Sequence, residues 1–145
     1  MGDRGQVSIE VGVLLHQVYG LATQQLNAAL TPMNLSSRHV SVMFLIRDGV
    51  RTQRDLVARL NTDKTGMVRM IDDLERLGHV TRTPSTEDRR VTILELTDDG
   101  AQTLRAAQQL TQRVADDVFH AVGTDDLDIL KRILTQALGA AMPNE

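Results

Sequence analysis

The chain has no cysteine and no tryptophan, and its only aromatic side chains are Tyr19, Phe44 and Phe119. The absence of cysteine excludes disulfides, thiolate metal sites and any thiol-based redox switch. Three aromatic rings offer an aromatic ligand few stacking partners. No apolar run reaches the roughly 18 residues of a membrane helix, and the start, MGDRGQVSIE, lacks the basic and apolar regions of a signal peptide. We therefore expect a cytoplasmic protein.

Patterns typical of enzymes and metal sites are also missing. The sequence has no G-x-S-x-G elbow, no phosphate-binding loop and no H-E-x-x-H helix. Adjacent aspartates occur at 72–73, 98–99, 116–117 and 125–126, but neighbouring residues on a helix point to different sides. The histidines do not have the spacing of a zinc site; they are His16, His39, His79 and His120. We expect neither an enzyme nor a bound cofactor.

Charge is distributed unevenly along the chain. The net charge is −3, yet residues 36–96 hold eleven Arg or Lys against nine Asp or Glu, whereas the flanks hold five against ten. A basic middle between acidic ends is expected when one part of a chain contacts an anion such as DNA. The length suits one domain with helical extensions.

Helical spacing and capping residues predict the first two helices. Apolar residues recur at helical intervals from Val11 to Leu30, and Pro32 ends this segment. Ser36 is suited to cap the second helix, with Leu35 and Val40 at the two positions of a hydrophobic staple.

The next two helices are separated by a very short turn. Thr52 begins a short helix and, with Asp55 three positions on, forms a capping box in its Asp variant; Asn61 can end the helix in the left-handed conformation. Thr62 or Asp63 begins a fourth helix, which ends at Gly78. Two helices joined so closely must cross steeply, which indicates a helix-turn-helix unit.

A hairpin and two further helices complete the chain. HVTRTP and VTILEL favour strands, and the seven residues between Thr83 and Val91 connect them. Thr97 caps a fifth helix, and a break at Gly123 precedes a sixth. The predicted fold is mainly α: a winged helix-turn-helix with six helices and one small β-hairpin wing, embedded between long terminal helices.

The fourth helix, DKTGMVRMIDDLERLG, has two different faces. Its apolar residues follow the spacing of a core face: Met67, Met70, Ile71 and Leu74. The outward face near its start is short or cationic: Lys64, Thr65, Gly66 and Arg69. A helix that enters a major groove needs small residues for close approach and a long donor for a base edge. The alternative is an ordinary solvated face.

The hairpin connection, PSTEDRR, ends in two adjacent arginines. Arg89 and Arg90 on a narrow loop suit the negative potential of a minor groove, while Asp88 can hold an arginine or accept loop N–H groups. Arg38 and Arg54 are candidates for phosphate contacts. The alternative for the loop is a solvated turn of mixed charge, but the helix-turn-helix directly upstream favours DNA.

The segment RTPSTEDRRVTILELTDDG resembles the signature of the MarR family of bacterial transcription regulators. The matching residues are Arg82, Asp88, Arg90, Leu96, Thr97 and Gly100, and the ending DDLERLGHV of the fourth helix also fits. The resemblance covers nearly the whole chain and implies double-stranded DNA as a partner. It also implies a homodimer built by the first and last helices, most often a repressor. A purely architectural DNA-binding protein remains the alternative.

The resemblance further implies three regions and an interface. Residues 1–34 form an N-terminal dimerisation helix, 35–98 the DNA-binding domain and 99–145 the C-terminal dimerisation helices. The dimerisation residues are Val11, Leu127, Leu130, Ile133, Leu134 and Leu138. The last helix supports this independently, because it carries more apolar side chains than a small winged helix needs. Two copies would present their fourth helices about 34–36 Å apart, which predicts a pseudo-palindromic operator.

Effector sites in this family lie where the terminal helices meet the winged-helix core. The residues here that would contact a small-molecule effector are His16, Tyr19, Arg38, His39 and Met43. The alternative for His and Met side chains at such a place is plain packing.

Overall fold

The computed structural model describes residues 2–141. Within them, six α-helices and one antiparallel hairpin follow in the predicted order. The elements are α1 (Arg4–Leu30), a 3₁₀ turn (Thr31–Met33), α2 (Ser37–Arg47), α3 (Gln53–Leu60), α4 (Lys64–Arg76), β1 (Val80–Pro84), β2 (Thr92–Leu96), α5 (Asp98–Val118) and α6 (Thr124–Ala141). Across this range, no helix combines the length and apolar character needed to cross a bilayer.

Side-chain caps determine where the helices begin. Before α2, Ser36 Oγ accepts a hydrogen bond from the backbone N–H three residues on. Asp63 Oδ1 does the same before α4 at 2.6 Å, and Thr97 Oγ1 before α5 at 2.9 Å. Each satisfies an N–H that the helix itself leaves unpaired. The predicted starts are confirmed, with Asp63 rather than Thr62 as the cap of α4.

The cap of α3 differs in one detail from the sequence prediction. Thr52 Oγ1 accepts from the N–H of Asp55 at 3.2 Å, and the Thr52 hydroxyl lies 2.7 Å from the Asp55 carboxylate, to which it donates. A full capping box would require the Asp55 carboxylate to accept from the Thr52 backbone N–H. Here the carboxylate accepts from the Thr52 hydroxyl instead. Asn61 adopts the predicted left-handed conformation with φ +47°. Only residues 61–63 separate α3 from α4, which confirms the helix-turn-helix unit.

The core lies between α2, α4, α5 and the hairpin, with the end of α1 closing one side. The four residues predicted for the core face of α4 are all at most 8% exposed: Met67, Met70, Ile71 and Leu74. Helix α2 contributes four buried residues to the same cluster: Val40, Val42, Met43 and Ile46. The apolar face of α4 therefore packs into the core, and its opposite face is in contact with solvent.

The hairpin pairs Val80 with Leu96 at its base and Pro84 with Thr92 near its tip. The backbone N–H of Leu94 in β2 also donates to the carbonyl of Arg51 at 2.8 Å. This bond attaches the segment between α2 and α3 to the hairpin, so the wing is held against the helix-turn-helix unit.

Gly100 is required where α5 crosses the start of β1. A Cβ at this position would overlap the backbone carbonyl oxygen of His79. That carbonyl is itself engaged by the N–H of Thr97 at 3.0 Å, and Thr97 Oγ1 donates to the carbonyl of Gly78 at 2.6 Å. The Thr-x-x-Gly spacing thus locks α5 onto the turn that follows α4.

The terminal helices carry a large uncovered apolar surface. Helix α1 packs on α5 and α2, yet Leu30 is its one buried residue among those described. Large apolar side chains between Val7 and Leu21 are 37–70% exposed. Helix α6 buries no residue, and Ile129, Ile133 and Leu138 are 46–69% exposed. We call these exposed apolar side chains of α1 and α6 the terminal-helix face.

Candidate DNA-binding surface

The start of α4 presents a small cationic surface. Lys64, Thr65 and Arg69 are exposed, and Gly66 is half-buried. A Cβ on Gly66 would lie 3.2 Å from the capping oxygen of Asp63, so glycine leaves room for the cap. Local packing thus accounts for the glycine. Because glycine has no side chain, the outward surface of the helix also projects little at this position.

The second half of α4 is acidic, but its carboxylates are paired. Arg82 of β1 contacts Asp72 at 2.6 Å and Glu75 at 3.5 Å. Asp73 contacts Arg76 at 2.8 Å and a histidine of α2 at 3.1 Å. Pairing reduces the negative field that these groups would direct at a phosphate backbone. The start of α4 therefore remains the cationic part of the helix.

Arg82 forms a link between the wing and α4 that sequence reasoning missed, because the sequence placed this residue only within the family signature. It lies at the middle of β1, paired with Leu94, and its side chain is 27% exposed. Its two carboxylate partners lie ten and seven residues upstream on a helix, so no local spacing rule joins them. Arg82 ties the wing to α4.

At the tip of the wing, Asp88 holds Arg90. Asp88 Oδ1 accepts from the Arg90 backbone N–H at 3.0 Å and from its Nε at 3.2 Å, and Oδ2 accepts from its Nη2 at 3.4 Å. The side-chain hydrogen bonds from Arg90, followed by the bond from its backbone N–H, lower the pKa of Asp88 below its usual value. Arg90 is 91% exposed and Arg89 is exposed beside it.

A cleft of about 490 Å³ separates the wing from the helix-turn-helix unit. It is lined by Thr52, Gln53, Arg54, Val57, Lys64, Val91 and Thr92. The structure thus brings Arg54 of α3 and Lys64 of α4 to one opening beside β2. Their two positive charges face the space between the wing and the helix-turn-helix unit, which makes this opening cationic.

Arg38 belongs to a second, smaller cavity. Its Nη2 donates to Thr62 Oγ1 at 3.1 Å, which joins α2 to the turn before α4. The cavity has a volume of about 210 Å³ and is lined by Tyr19, Arg38, Ser41, Leu60, Thr62 and Met70. Two of the residues predicted to contact an effector therefore meet in one place, where α1 approaches the winged-helix core.

The other three effector candidates lie elsewhere. Met43 is completely buried in the core and does not line this cavity, so its contact with an effector stays a prediction. The His39 ring is held by Ser36 and Asp73 and does not line this cavity. His16 is exposed on α1, less than one helical turn before Tyr19. Among residues 2–141, no His, Cys, Asp or Glu cluster has the geometry of a metal site.

A cationic helix start beside an arginine-tipped hairpin defines a winged helix-turn-helix DNA-binding protein. Comparisons with known proteins give the family. The model of the MarR family matches residues 33–91. The multiple antibiotic resistance protein MarR of Salmonella typhimurium (strain LT2) is 31% identical over 135 residues, which are 90% of this chain and 92% of that protein. This chain belongs to the MarR family of winged-helix transcription regulators, whose members are not enzymes.

Two solved structures resemble the fold closely. A cysteine-to-serine mutant of MarR from E. coli, complexed with operator DNA, superposes with a TM-score of 0.79 at 27% identity and covers 94% of this chain and 99% of that one. CouR from Rhodococcus jostii RHA1, bound to p-coumaroyl-CoA, has a TM-score of 0.78 at 27% identity, with coverages of 95% and 97%.

Proposed function

We propose that this protein is a homodimeric repressor that binds a pseudo-palindromic operator in the bacterial cytoplasm. The observation that carries the proposal is the uncovered terminal-helix face on a chain that also presents a cationic helix start and an arginine-tipped wing. The terminal-helix face accounts for the pairing of two chains, and the cationic helix start with the wing accounts for DNA contact. The operator complex of the E. coli relative supports the DNA partner.

Helix α4 serves as the recognition helix in this scheme. Arg69 is exposed on its outward face and is long enough to contact a base edge in a major groove. Lys64 and Thr65, in the first turn, and the low surface at Gly66 let the helix start approach the DNA. The buried face behind them keeps the helix rigid.

The remaining cations serve the phosphate backbone and the minor groove. Arg89 and Arg90 extend from the wing tip, where Asp88 sets the direction of Arg90. Arg54 faces the cleft beside the wing. Arg38 lies closer to α1, where its bond to Thr62 orients it toward the turn before the recognition helix.

The terminal-helix face supplies the dimer interface. The expected contact residues are exposed or half-buried in the single chain: Val11, Leu127, Leu130, Ile133, Leu134 and Leu138. Residues 1–34 and 99–145 then form the dimerisation regions around the DNA-binding residues 35–98. Residue 1 and residues 142–145 lie outside the described residues.

We also propose a small-molecule effector, and Tyr19 and Arg38 mark its site. Their cavity lies between α1 and the recognition helix, so an occupant would contact both the dimerisation region and the DNA-binding domain. A relative of this fold, CouR, binds p-coumaroyl-CoA. An effector that prefers one spacing of the two recognition helices would shift the population away from the DNA-bound form.

Selection of binding sites from random DNA by the purified protein tests the proposal. We expect enriched sequences with two inverted half-sites, their centres about 34–36 Å apart, because two identical helices then contact successive major grooves. An architectural protein, the alternative function, would bind operator and random DNA alike at physiological salt. Enrichment of a single half-site, or of no sequence, would contradict a symmetric dimer on the operator.

Arg69→Ala is expected to weaken operator binding by about 1–3 kcal/mol and to relax the preference at one base position. The physical reason is the loss of one bidentate contact to a base edge. Quantitative binding to the operator and to variants of it would measure both effects.

Arg90→Ala is the matched control for Arg69→Ala. A wing arginine that neutralises a phosphate or a groove potential should weaken binding on all sequences and reduce the salt slope by about one. An equal loss on operator and random DNA for Arg69→Ala would show that Arg69 contacts phosphate instead of a base.

A further inference from the structure

A chain of hydrogen bonds runs from α1 to the recognition helix through His39. Asn27 Oδ1 in α1 accepts from the N–H of Ser37 at 2.7 Å. The N–H of the preceding residue, Ser36, donates to His39 Nδ1 at 3.0 Å. The other ring nitrogen, Nε2, lies 3.1 Å from Asp73 Oδ2 in the recognition helix.

The geometry fixes the roles of the two ring nitrogens. A backbone N–H is always a donor, so Nδ1 accepts from the Ser36 N–H and carries no proton in this arrangement; the Ser36 hydroxyl, 2.8 Å from Nδ1, then also donates to it. The ring proton is then on Nε2, and Nε2 donates it to the Asp73 carboxylate. The His39 side chain is only 14% exposed, so water competes little for these bonds. His39 thus uses one nitrogen for the cap of α2 and the other for α4.

The recognition helix is held from two sides by this arrangement. Arg82 binds Asp72 from the wing, and His39 binds Asp73 from α2. The second oxygen of Asp73 accepts from Arg76 on the same helix, so the carboxylate is fixed before the histidine meets it. The two adjacent aspartates of α4 therefore have different partners, one in the wing and one in α2.

We propose that His39 is a positioning residue for operator recognition, acting through Asp73 to set the orientation of the recognition helix against the junction of α1 and α2. The inference deepens the proposed operator binding and rests on it. His39 need not touch DNA. Its loss changes how well the exposed residues of α4 match base edges, while the cations that attract any DNA stay in place.

Two substitutions separate the capping role of His39 from its link to Asp73. Glutamate at the third helical position preserves a capping box, because its carboxylate accepts the Ser36 N–H. It also places a negative charge against the Asp73 carboxylate and removes the donor. Glutamine offers an acceptor and a donor on one planar amide, as the histidine ring does. Hence His39→Glu keeps the cap alone, and His39→Gln keeps both bonds.

The experiment measures the ratio of affinities for the selected operator and for random DNA of equal length, at fixed salt. We expect His39→Glu to lower this ratio about tenfold and His39→Gln to retain it within about twofold, in line with coupling inside one hydrogen-bond network. The ratio cancels the uniform loss that an added negative charge causes on every DNA. Thermal unfolding of both variants checks that the cap is intact.

Asp73→Ala tests the same link from the other helix. Loss of a carboxylate should raise the affinity for all DNA, yet the ratio of operator affinity to random-DNA affinity should fall. The helix itself should stay intact, because Asp73 is half-exposed and alanine is the strongest helix former. An unchanged ratio in His39→Glu or in Asp73→Ala, or a His39→Gln variant as poor as His39→Glu, would overturn the positioning role alone. Wild-type protein that does not distinguish operator from random DNA would instead remove the proposed function.

Discussion

Replacing both Ile133 and Leu138 by aspartate is expected to convert the proposed dimer to single chains and to weaken operator binding by about a hundredfold or more. The two side chains are 49% and 69% exposed within one chain, so the change removes little from the core of the monomer. In a dimer each buried Ile or Leu contributes about 1.5–3 kcal/mol, and two copies lose four of them. Light scattering after size-exclusion chromatography measures the mass, and titration of labelled operator measures the affinity.

The control for this double variant is Gln102→Asp with Gln109→Asp on α5. Both glutamines are exposed, and the control adds the same charge per chain outside the terminal-helix face. It should keep the mass of the dimer and most of the operator affinity, because the expected contact residues of the dimerisation regions lie on α1 and α6 and none lies on α5. A wild-type protein that is already a single chain, or a double variant that stays paired, would refute the assignment of the interface to α6.

Gly100→Ala is expected to destabilise the fold by about 3 kcal/mol, near the upper end for an overpacked site. The added methyl group meets the backbone carbonyl of His79, and a backbone atom cannot rotate away as a side chain can. Helix α5 must shift, which strains the bond from Thr97 to that same carbonyl. Calorimetry should show a melting temperature lower by roughly 10 °C for a chain of this size.

Asp99→Ala provides the comparison at the neighbouring position. Asp99 is exposed in the first turn of α5, where its charge interacts with the helix dipole, so its loss should cost less than about 1 kcal/mol. If the two variants melted together, the close approach of α5 to His79 would not be what constrains this glycine.

Local sequence rules predicted the elements and their ends well. The caps at Ser36, Asp63 and Thr97 and the left-handed Asn61 each depend on residues within three or four positions of one another. The buried face of α4 follows from the same short-range spacing. Such interactions join residues that are close in the sequence and belong to one element, so local spacing rules can predict them.

Contacts between elements could not be predicted in this way. The His39–Asp73 pair joins residues 34 apart, and Arg82 reaches two carboxylates on another helix. The sequence does not tell which α2 residues line the cavity, because that depends on the rotation of α2 about its axis: Arg38 lines it, whereas Met43 is buried in the core. The uncovered side chains between Val7 and Leu21 had a helical pattern, but a pattern does not tell which chain covers them.

The Asp88–Arg90 pair has a consequence for the cost of binding. An arginine side chain held before contact loses part of its rotational freedom during folding, so less entropy is lost when DNA arrives. The same pair is open to solvent and weakens as ions accumulate. Added salt should therefore weaken the Asp88–Arg90 pair and also screen the attraction between Arg90 and DNA. The salt dependence of DNA binding would then include a contribution from the wing itself.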